Sequence, residues 1–351
     1  MSPAPLTVTG AYVAVENGMG QQLADSQLLA ALGARPDLDV RPLAVGSVRS
    51  TLRPDRRLPL GLLDRSPRSL KRAIGAVTYP RGLVHRFDCR LPPAPHEVVT
   101  VHDLAPLRFA DEGGMPQHVG PALRRALAVV CPSEFSAGEL RTEYGVEHVR
   151  VVPNGLDEVF VDARPLPVPE RERMQLPERY VLHTGGATAR KNLAALAGAW
   201  PAVRAAAPNV GLVLCGPVDE RRSGLFHDLP GTHLLGKVPR HVLVGLMAAA
   251  AVVVVPSRYE GYGLPALEAM ACGVPVVAAR CASLPEVLAG HGNLVEPDGD
   301  GLAEGLIQAL AVIDADQLSA ARETARARTW ASSARQYEQV YREVLDRAEA
   351  A

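Results

Sequence analysis

The segment AVVVVPSRYEGYGLPALEAMACGVPVVAA, residues 251–279, decides the fold. It contains a run of valines, a loop with two glycines, a helix-forming stretch from Pro265 and a second apolar run. Buried strands of parallel sheets read as continuous apolar runs, and proline is favoured in the first turn of a helix. The segment therefore predicts two parallel strands joined by a glycine loop and a helix, the repeating unit of an α/β sheet.

The same alternation extends outward in both directions and predicts two doubly wound parallel-sheet α/β domains. Residues 159–179 interrupt it, because they are rich in proline and charge and show no hydrophobic period. The strands predicted after this interruption are Tyr180–His183, Gly211–Cys215, His233–Leu235, Val252–Val255 and Val274–Ala278. Those predicted before it are Leu6–Val15, Val40–Val45, Leu83–Phe87, Val98–His102, Val129–Cys131 and Val149–Val152.

The interruption sets the expected domain boundaries. We expect an N-terminal domain over residues 1–162, a linker over 163–178 and a second domain over 179–329. Residues 330–351 read as one amphipathic helix, with Tyr337, Tyr341 and Leu345 on one face. Such a helix needs an apolar surface, so we expect it to pack on a domain that is already folded.

Composition and charge exclude several classes of protein. The chain has 351 residues, 47% of them hydrophobic, and a formal net charge of −1, which is typical of a globular protein and not of a general nucleic-acid binder. The apolar run Leu243–Pro256 is shorter than the about 20 residues that span a bilayer. The first residues lack the features of an export signal, so we expect a cytoplasmic protein. The five cysteines form no CxxC pair, which argues against structural zinc and a disulfide framework.

The glycine loop of the opening segment has the chemistry of a sugar-nucleotide site. Gly261 and Gly263 allow backbone N–H groups to approach a ligand, and the following helix start favours an anion such as phosphate. Glu260 and Glu268 would repel that phosphate but accept hydrogen bonds from hydroxyl groups. Phosphate together with hydroxyls indicates a sugar nucleotide. The alternative is that Glu268 is a solvated helix residue and that the glycines only turn the chain.

This segment is similar to the Glu-x7-Glu motif of retaining glycosyltransferases, and the chain resembles glycosyltransferase family 4 along nearly its whole length. The resemblance implies the GT-B fold: two facing Rossmann-like domains, with a C-terminal helix that packs back on the N-terminal domain. It also implies that Glu260 lies near the donor sugar hydroxyls and that Glu268 binds the ribose. The backbone amides implied in donor binding are those of Gly261, Tyr262, Gly263 and Leu264.

A second motif, HTGGATARKNL at residues 183–193, follows the first predicted strand of the second domain. It resembles the family segment whose basic pair neutralises the leaving diphosphate, which assigns that role to Arg190 and Lys191. Many members carry Gly-Arg directly after the strand, whereas this chain has Gly185 and Gly186, so Arg190 acts without that other arginine. The alternative is a solvated basic pair. After a later strand, the resemblance implies that Lys237 and Val238 hold the nucleobase through backbone groups.

Two motifs in the first domain complete the expected donor site. The sequence NGMGQQ at residues 17–22 would suggest a dinucleotide fingerprint, but Leu23 replaces the third glycine and Asp39 precedes the second predicted strand. In the resembled family a similar loop approaches the donor phosphates, which implies that role for Gly18 and Gly20. The sequence VHDL at 101–104 resembles the family's strand-end His-Asp. There the histidine reaches the donor sugar, so His102 inherits this role and Asp103 orients the loop on the acceptor side.

The acceptor side carries a local excess of positive charge. From Arg49 to Arg90 the chain has eleven Lys and Arg residues against three Asp. This excess favours an anionic acceptor or an anionic membrane surface, with Arg53, Arg56 and Arg57 as candidate contacts. An arginine-rich solvated loop explains the same count equally well.

Together these observations predict a retaining glycosyltransferase. We expect it to move a hexosyl sugar, mannosyl- or glucosyl-like, from a UDP- or GDP-linked donor to an acceptor hydroxyl of a polysaccharide, glycolipid or natural product. No bound metal, no permanently bound cofactor and no nucleic-acid partner are expected, and location at the inner face of a membrane is compatible with the basic stretch. The acceptor and the oligomeric state stay open. The alternatives are a non-catalytic nucleotide-sugar binding protein and a GT-B phosphorylase, although none of the three lysines lies in a recognisable cofactor motif.

Overall fold

The computed structural model describes residues 4–16, 18 and 20–350. The chain forms two compact units, Met1–Gly155 with Thr329–Ala351, and Leu156–Arg328. This division falls earlier than residue 162, because Leu156, Phe160 and Leu166 are buried in the core of the second unit. The stretch expected as a linker contains a short helix and adds Met174 to the edge of the same core.

The first unit is built on a seven-stranded sheet of order β3-β2-β1-β4-β5-β6-β7, in which every pairing is parallel. Its strands are β1 (Leu6–Val13), β2 (Leu38–Ser47), β3 (Arg56–Leu58), β4 (Leu83–Arg86), β5 (Glu97–Thr100), β6 (Ala128–Cys131) and β7 (Val149–Val151). Its helices are α1 (Gln21–Gly33), α2 (Leu60–Asp64), α3 (Arg68–Thr78), α4 (Ala105–Arg108), α5 (Val119–Leu123), α6 (Glu134–Tyr144) and α15 (Trp330–Glu349).

The second unit has a six-stranded parallel sheet of order β10-β9-β8-β11-β12-β13. Its strands are β8 (Arg179–Thr184), β9 (Val210–Cys215), β10 (Thr232–Gly236), β11 (Val252–Val255), β12 (Val276–Ala279) and β13 (Asn293–Val295). Its helices are α7 (Val168–Arg173), α8 (Leu193–Ala206), α9 (Glu220–Phe226), α10 (Arg240–Ala249), α11 (Leu264–Ala271), α12 (Leu284–Leu288), α13 (Gly299–Ala311) and α14 (Ala315–Arg326).

The strand order explains where a ligand can bind in each unit. The order reverses between β1 and β4 in the first sheet and between β8 and β11 in the second. Loops that leave neighbouring strands at such a reversal diverge to opposite faces and open a crevice at the carboxyl ends of the strands. The loops after β8 and β11 carry the two strongest sequence motifs, so the topology brings these motifs together.

The C-terminal helix α15 is part of the first unit and is held there by a buried polar network. Tyr341 Oη lies 2.6 Å from His85 Nδ1, and His85 Nε2 lies 2.7 Å from Thr100 Oγ1. Thr100 Oγ1 is in turn 2.9 Å from Tyr337 Oη. Burial lowers the pKa of His85 to about 3. The imidazole is therefore neutral at physiological pH, and each of its nitrogens has a partner.

The short strands β3 and β13 were not predicted from the sequence. Both are three residues long and lie at sheet edges, where a strand is stabilised by one neighbour only and its apolar pattern is weak.

In the described residues no helix is both long and apolar enough to cross a bilayer.

Candidate donor site

The centre of the candidate site is a buried cluster of two cations and one carboxylate in the second unit. Lys191 Nζ donates to Glu260 Oε1 at 2.6 Å, and Arg190 Nη1 donates to Glu260 Oε2 at 3.0 Å. The side chains of Lys191 and Glu260 are only 11% and 8% exposed. Burial alone would raise the pKa of Glu260, but the charges of Lys191 and Arg190 outweigh it and hold that pKa at about 2. The cluster therefore keeps a net charge of +1 throughout the physiological range.

Hydrogen bonds to loop carbonyls fix the two segments that form this cluster. Asn192 donates to the carbonyl oxygens of Pro256 and Pro297, at 3.0 and 2.9 Å, so the turn before α8 is tied to the loop after β11. The backbone N–H of Arg258 donates to the carbonyl oxygen of Arg190 at 2.8 Å. Asn192 adopts a left-handed conformation with φ 54°, which asparagine tolerates better than most residues. These contacts hold Arg190 and Lys191 in place before any ligand binds.

One buried hydroxyl group holds the backbone of the loop that begins at Glu260. Ser283 is fully buried, and its Oγ lies within hydrogen-bond distance of the carbonyl oxygens of Glu260 and Tyr262, at 2.9 and 2.7 Å. Gly263 precedes α11 with φ 102°, and a Cβ there would lie 2.8 Å from Leu284. A side chain at position 263 would therefore be strained and would displace Leu284. The side chain of Tyr262 is buried in the core, which restricts any ligand contact of this residue to its backbone.

Glu268 lies one turn into α11 in a very different environment from Glu260. The residue is 9% exposed, and burial raises the pKa of its carboxyl group to about 7. The nearby Arg240 lowers this pKa only in part, because Arg240 forms an ion pair with Asp157. Glu268 is thus a buried carboxylate with little compensation, a state that a ligand supplying hydroxyl donors would stabilise.

A buried arginine that the sequence motifs did not indicate supports the loop after β8. Arg222, on α9, is 3% exposed and donates to the carbonyl oxygens of Gly185 and Pro217. Gly185 has φ 132°, and a Cβ there would lie 3.9 Å from Lys191 Nζ. Arg222 therefore supports the backbone of the turn that leads to Arg190 and Lys191. No spacing in the sequence signals this role, because α9 lies far from the motif along the chain.

The remaining donor-site candidates of the second unit lie after β10. Lys237 is exposed, and Val238 is half-buried against the core. Gly236, just before them, has φ 66°, and its carbonyl oxygen accepts the N–H of Gly216 at 2.9 Å. The strand end is thus joined to the loop after β9, while Lys237 faces solvent.

In the first unit the candidate residues gather at the carboxyl ends of β1 and β5. His102 Nε2 lies 2.6 Å from Asp25 Oδ1, and Asp25 is on α1, the helix that begins after Gly20. Burial alone would lower the pKa of His102, but the charge of Asp25 outweighs it and raises that pKa. Asp103 accepts the backbone N–H of Ala105 at 3.0 Å, so it orients its own loop. No motif in the sequence indicated Asp25.

The glycine loop of the first unit is described at Gly18 and from Gly20 onward. Gly18 is exposed, and a Cβ there would lie 2.9 Å from the Cβ of Gln22. Gly20 has φ 53°, and a Cβ there would meet no heavy atom within 4 Å, so the requirement for glycine is conformational and not steric. Both glycines therefore suit a tight approach of the chain to the start of α1.

The three arginines expected on the acceptor side differ in what they bind. Arg57 donates to the carbonyl oxygens of Ser50 and Leu52, at 2.8 and 2.6 Å, and so braces its own loop. Arg56 donates to the carbonyl oxygen of Asp55 at 3.3 Å. Arg53 is exposed, and its side chain has no hydrogen bond or ion pair within the described residues.

Three Asp-x-Asp pairs occur in the chain, and the structure gives each a structural setting. Asp298 and Asp314 cap the N-termini of α13 and α14 through their side chains. Asp39 forms an ion pair with Arg41. Over residues 4–16, 18 and 20–350, no three His, Cys, Asp or Glu side chains gather in a way that could hold a metal ion.

Comparison with known proteins agrees with this architecture. Residues 23–160 match the family described as Glycosyltransferase Family 4, and residues 178–312 match Glycosyl transferases group 1. The alpha-maltose-1-phosphate synthase of Mycolicibacterium smegmatis is 31% identical over 76% of this chain and 78% of its own length. The O-antigen chain mannosyltransferase B of Escherichia coli is 31% identical over 61% of this chain, which spans 59% of that relative.

Two further proteins extend the comparison. The GDP-mannose-dependent alpha-(1-6)-phosphatidylinositol dimannoside mannosyltransferase of Mycobacterium tuberculosis is 27% identical over 84% of this chain and 75% of its own length. The structure of sucrose-phosphate synthase from Thermosynechococcus elongatus superimposes with a TM-score of 0.76 at 25% identity, covering 97% of this chain and 99% of that one. Two Rossmann-like units, with paired motifs at a strand-order reversal, define a glycosyltransferase of the GT-B fold. The chain belongs to glycosyltransferase family 4, whose members retain the configuration of the transferred sugar.

Proposed function

We propose that this enzyme transfers a mannosyl- or glucosyl-like hexose from a UDP- or GDP-linked donor to an acceptor hydroxyl. The observation that carries this proposal is the buried cluster of Lys191, Arg190 and Glu260 at the strand-order reversal of the second unit. Names of similar proteins support the substrate class: two are mannosyltransferases, and one of these is GDP-mannose-dependent. The comparisons support a nucleotide-sugar donor, and the choice of nucleotide and of sugar is our proposal.

The two cations of the cluster are suited to stabilise a departing diphosphate. Glu260 neutralises only one of them, so the cluster offers one uncompensated positive charge. The hydrogen bonds of Asn192 fix this charge beforehand, and a preorganised donor in a low-dielectric site can contribute about 10²–10³ in rate. A metal ion is therefore not needed to hold the diphosphate in the mechanism that we propose.

The same cluster fixes Glu260 for a second task. Its carboxylate is held by both cations and stays ionised, so its remaining lone pairs can accept hydrogen bonds from hydroxyls of the donor sugar. In the proposed reaction the acceptor oxygen attacks from the face that the diphosphate leaves, and a phosphate oxygen accepts the acceptor proton. Lys191 and Arg190 stabilise the negative charge until that proton arrives.

Glu268 is proposed to bind the two ribose hydroxyls of the donor. A carboxylate can accept one hydrogen bond on each oxygen, which matches the two adjacent hydroxyls of a ribose. Burial makes the carboxylate of ligand-free Glu268 unfavourable, so the hydroxyl donors of the ribose would restore interactions that water no longer provides. His102, Gly18 and Gly20 of the first unit, and Gly185, Lys237 and Val238 of the second, are proposed as further donor contacts.

A binding screen followed by a transfer assay tests the proposal. The protein is heated with UDP, GDP, UDP-glucose and GDP-mannose, and a bound donor raises the melting temperature by mass action. We expect one nucleotide class to stabilise the parent protein and Lys191→Met to reduce this stabilisation, whereas Glu304→Gln, an exposed change on α13, leaves it unchanged. Stabilisation without any sugar transfer or donor hydrolysis would identify a binding protein. No stabilisation by any of the four compounds would contradict the proposed donor.

The acceptor is proposed to be anionic or associated with a membrane surface. This part of the proposal rests on the basic stretch from Arg49 to Arg90 and on the exposed side chain of Arg53. Attraction between exposed charges is screened over about 10 Å at 0.1 M salt. The KM of an anionic acceptor should therefore rise with added salt more steeply than the KM of the donor. Equal salt dependence of both constants would indicate a neutral acceptor.

A further inference from the structure

The first unit contains a cavity of about 820 Å³ that none of the proposed donor residues lines. It lies among α3, α5 and the connection from β4 to β5. Parallel strands are usually joined through a helix, but residues 87–96 form no helix and include the proline-rich sequence LPPAP. Gly75 of α3 packs directly on this connection, because a Cβ at Gly75 would lie 1.9 Å from the carbonyl oxygen of Pro93. The cavity therefore lies beside a crossover connection that contains no helix.

The cavity wall is strongly basic. Its lining includes six cationic side chains and one acidic side chain, Glu97. Glu97 is engaged by Arg86, which donates to both carboxylate oxygens at 2.9 and 3.1 Å in a fully buried pair. Arg90 is paired with Asp88, which lies outside the lining. The other cationic side chains of the wall are those of Arg68, Lys71, Arg72 and Arg125.

Three of these four side chains have no counter-charge among the described residues. The described part of the chain offers no ion pair or side-chain hydrogen bond to Arg68, Arg72 or Arg125. These residues come from two different helical segments, α3 and the turn after α5, and they line one cavity. Arg125 also lies outside the basic stretch that the sequence singled out. All three residues are exposed to solvent, and what they share is a position on the wall of this one cavity.

Lys71 holds two walls of the cavity together. Its ammonium group donates to the carbonyl oxygens of Asp64 and Gln117, at 2.9 and 2.8 Å. An ammonium group has three N–H donors, so one remains available to a ligand. Burial lowers the pKa of Lys71; the nearby charge of Asp64 offsets this in part, and that of Arg86 adds to it. An anion bound beside Lys71 would relieve the effects of burial and of Arg86.

The rest of the lining is apolar and includes Leu63, Leu91, Val119, Pro92 and Pro116. A cavity of this size takes a small molecule, for which about 300–1,000 Å³ is typical. Free inorganic phosphate would leave the apolar part of the wall in contact with water. The lining therefore fits a molecule that has an anionic group at one end and an apolar body.

We propose that this cavity binds a phosphate monoester with an apolar body. Arginine side chains recognise phosphate oxygens through paired N–H donors, and three uncompensated guanidinium groups match a dianionic phosphate better than a single carboxylate. The ester is either a free phosphorylated compound or the headgroup of a phosphorylated lipid. None of the proposed donor residues lines this cavity, so the phosphate site and the donor site are formed by different residues.

Calorimetric titration with n-octyl phosphate, below its micelle concentration, tests the site directly. We expect the parent protein to bind it and to bind neither n-octyl glucoside nor inorganic phosphate comparably. The double variant Arg72→Gln/Arg125→Gln should weaken binding by about tenfold or more, because two charge-assisted contacts are lost. The matched control Arg49→Gln/Arg81→Gln removes the same charge from exposed positions outside the cavity, and it should bind like the parent.

A second arm identifies the source of the phosphate. Sedimentation with phosphatidylcholine vesicles that contain phosphatidic acid should show binding if the ligand is a lipid headgroup, and n-octyl phosphate should compete with it. Binding of n-octyl phosphate alone, without vesicle binding, identifies a free phosphorylated compound. Ala76→Phe, which places a ring in the cavity without changing charge, should abolish binding in either case. No binding of n-octyl phosphate by the parent, or equal binding by the cavity and control variants with unchanged circular dichroism, overturns the proposal.

Discussion

Replacing Glu268 by glutamine should make the ligand-free protein more stable and its donor binding weaker. Burial raises the pKa of Glu268 to about 7, so at pH 8 the folded protein carries a carboxylate that is unfavourable in its site. Each pH unit between the ordinary and the folded pKa corresponds to about 1.4 kcal/mol, which gives a destabilisation of roughly 3 kcal/mol at pH 8. A folded-state pKa that is raised contributes stability at low pH, and this contribution is lost as the pH rises towards 7. Glutamine removes the cost because it has no charge.

The same substitution removes the charged acceptor that we propose for the ribose. Loss of a hydrogen bond to a charged group costs about 1–3 kcal/mol, or about 5- to 150-fold in affinity. The parent protein should bind the donor about tenfold more weakly at pH 6 than at pH 8, because the ionised fraction of Glu268 falls from about nine tenths to about one tenth. The affinity of Glu268→Gln should be nearly flat over this range.

Two measurements check this prediction together. Denaturant unfolding at pH 6 and pH 8 gives the free energy of unfolding, and calorimetry with the intact nucleotide sugar gives the affinity. The nucleotide sugar is preferable to the free diphosphate because its diphosphate has no terminal group that titrates in this range. A Glu268→Gln variant less stable than the parent at pH 8 would refute the reasoning about burial. A parent affinity that does not change with pH would refute the ribose role.

Three further predictions concern the leaving group, metal and the C-terminal helix. Lys191→Ala should lower kcat by about 10²-fold or more with an unchanged circular dichroism spectrum, because a fixed positive charge is lost beside the departing diphosphate; steady-state kinetics at saturating donor check this. Activity should persist in excess EDTA, and loss of activity that a divalent ion restores would contradict a metal-independent mechanism. His85 has its pKa lowered to about 3 by burial, so the folded state loses stability as the pH falls below about 6.5. At pH 5 this loss is about 2 kcal/mol, and unfolding of His85→Gln, compared with the parent at pH 7 and pH 5, should show a smaller dependence on pH.

Local sequence patterns predicted the central strands well because these strands are buried on both faces. Val252–Val255 is a continuous apolar run in the sequence and a central strand in the structure. The Rossmann-like organisation of both units follows from such runs together with the resemblance to the family. The edge strands β3 and β13 could not be predicted in this way, because each has only three residues and neither forms a distinct apolar run of its own.

Site residues that act through tertiary contacts were missed for a different reason. The motifs pointed to Lys191 and Glu260, but the supporting contacts come from Arg222 and Ser283, which lie elsewhere along the chain. A count of charges could not predict which arginines are available to a ligand, because it treats all arginines of the basic stretch alike. Arg86 forms a buried ion pair, and Arg57 donates hydrogen bonds to its own loop. Arg72 lines a cavity, and its side chain has no counter-charge among the described residues.

The two glutamates of the Glu-x7-Glu motif show how one short segment supplies two chemically different carboxylates. Glu260 and Glu268 are almost equally buried, yet Lys191 and Arg190 hold the pKa of the first at about 2, while burial raises that of the second to about 7. Glu260 therefore stays charged in all ordinary conditions and keeps both cations oriented. Without this counter-ion, burial of the two cations would be very unfavourable. Among the described residues Glu268 has only the partial compensation of Arg240, so hydrogen-bond donors from a ligand would stabilise its carboxylate. A change in pH between 6 and 8 should consequently alter donor affinity through Glu268 while leaving the charge of the Lys191–Arg190–Glu260 cluster unchanged.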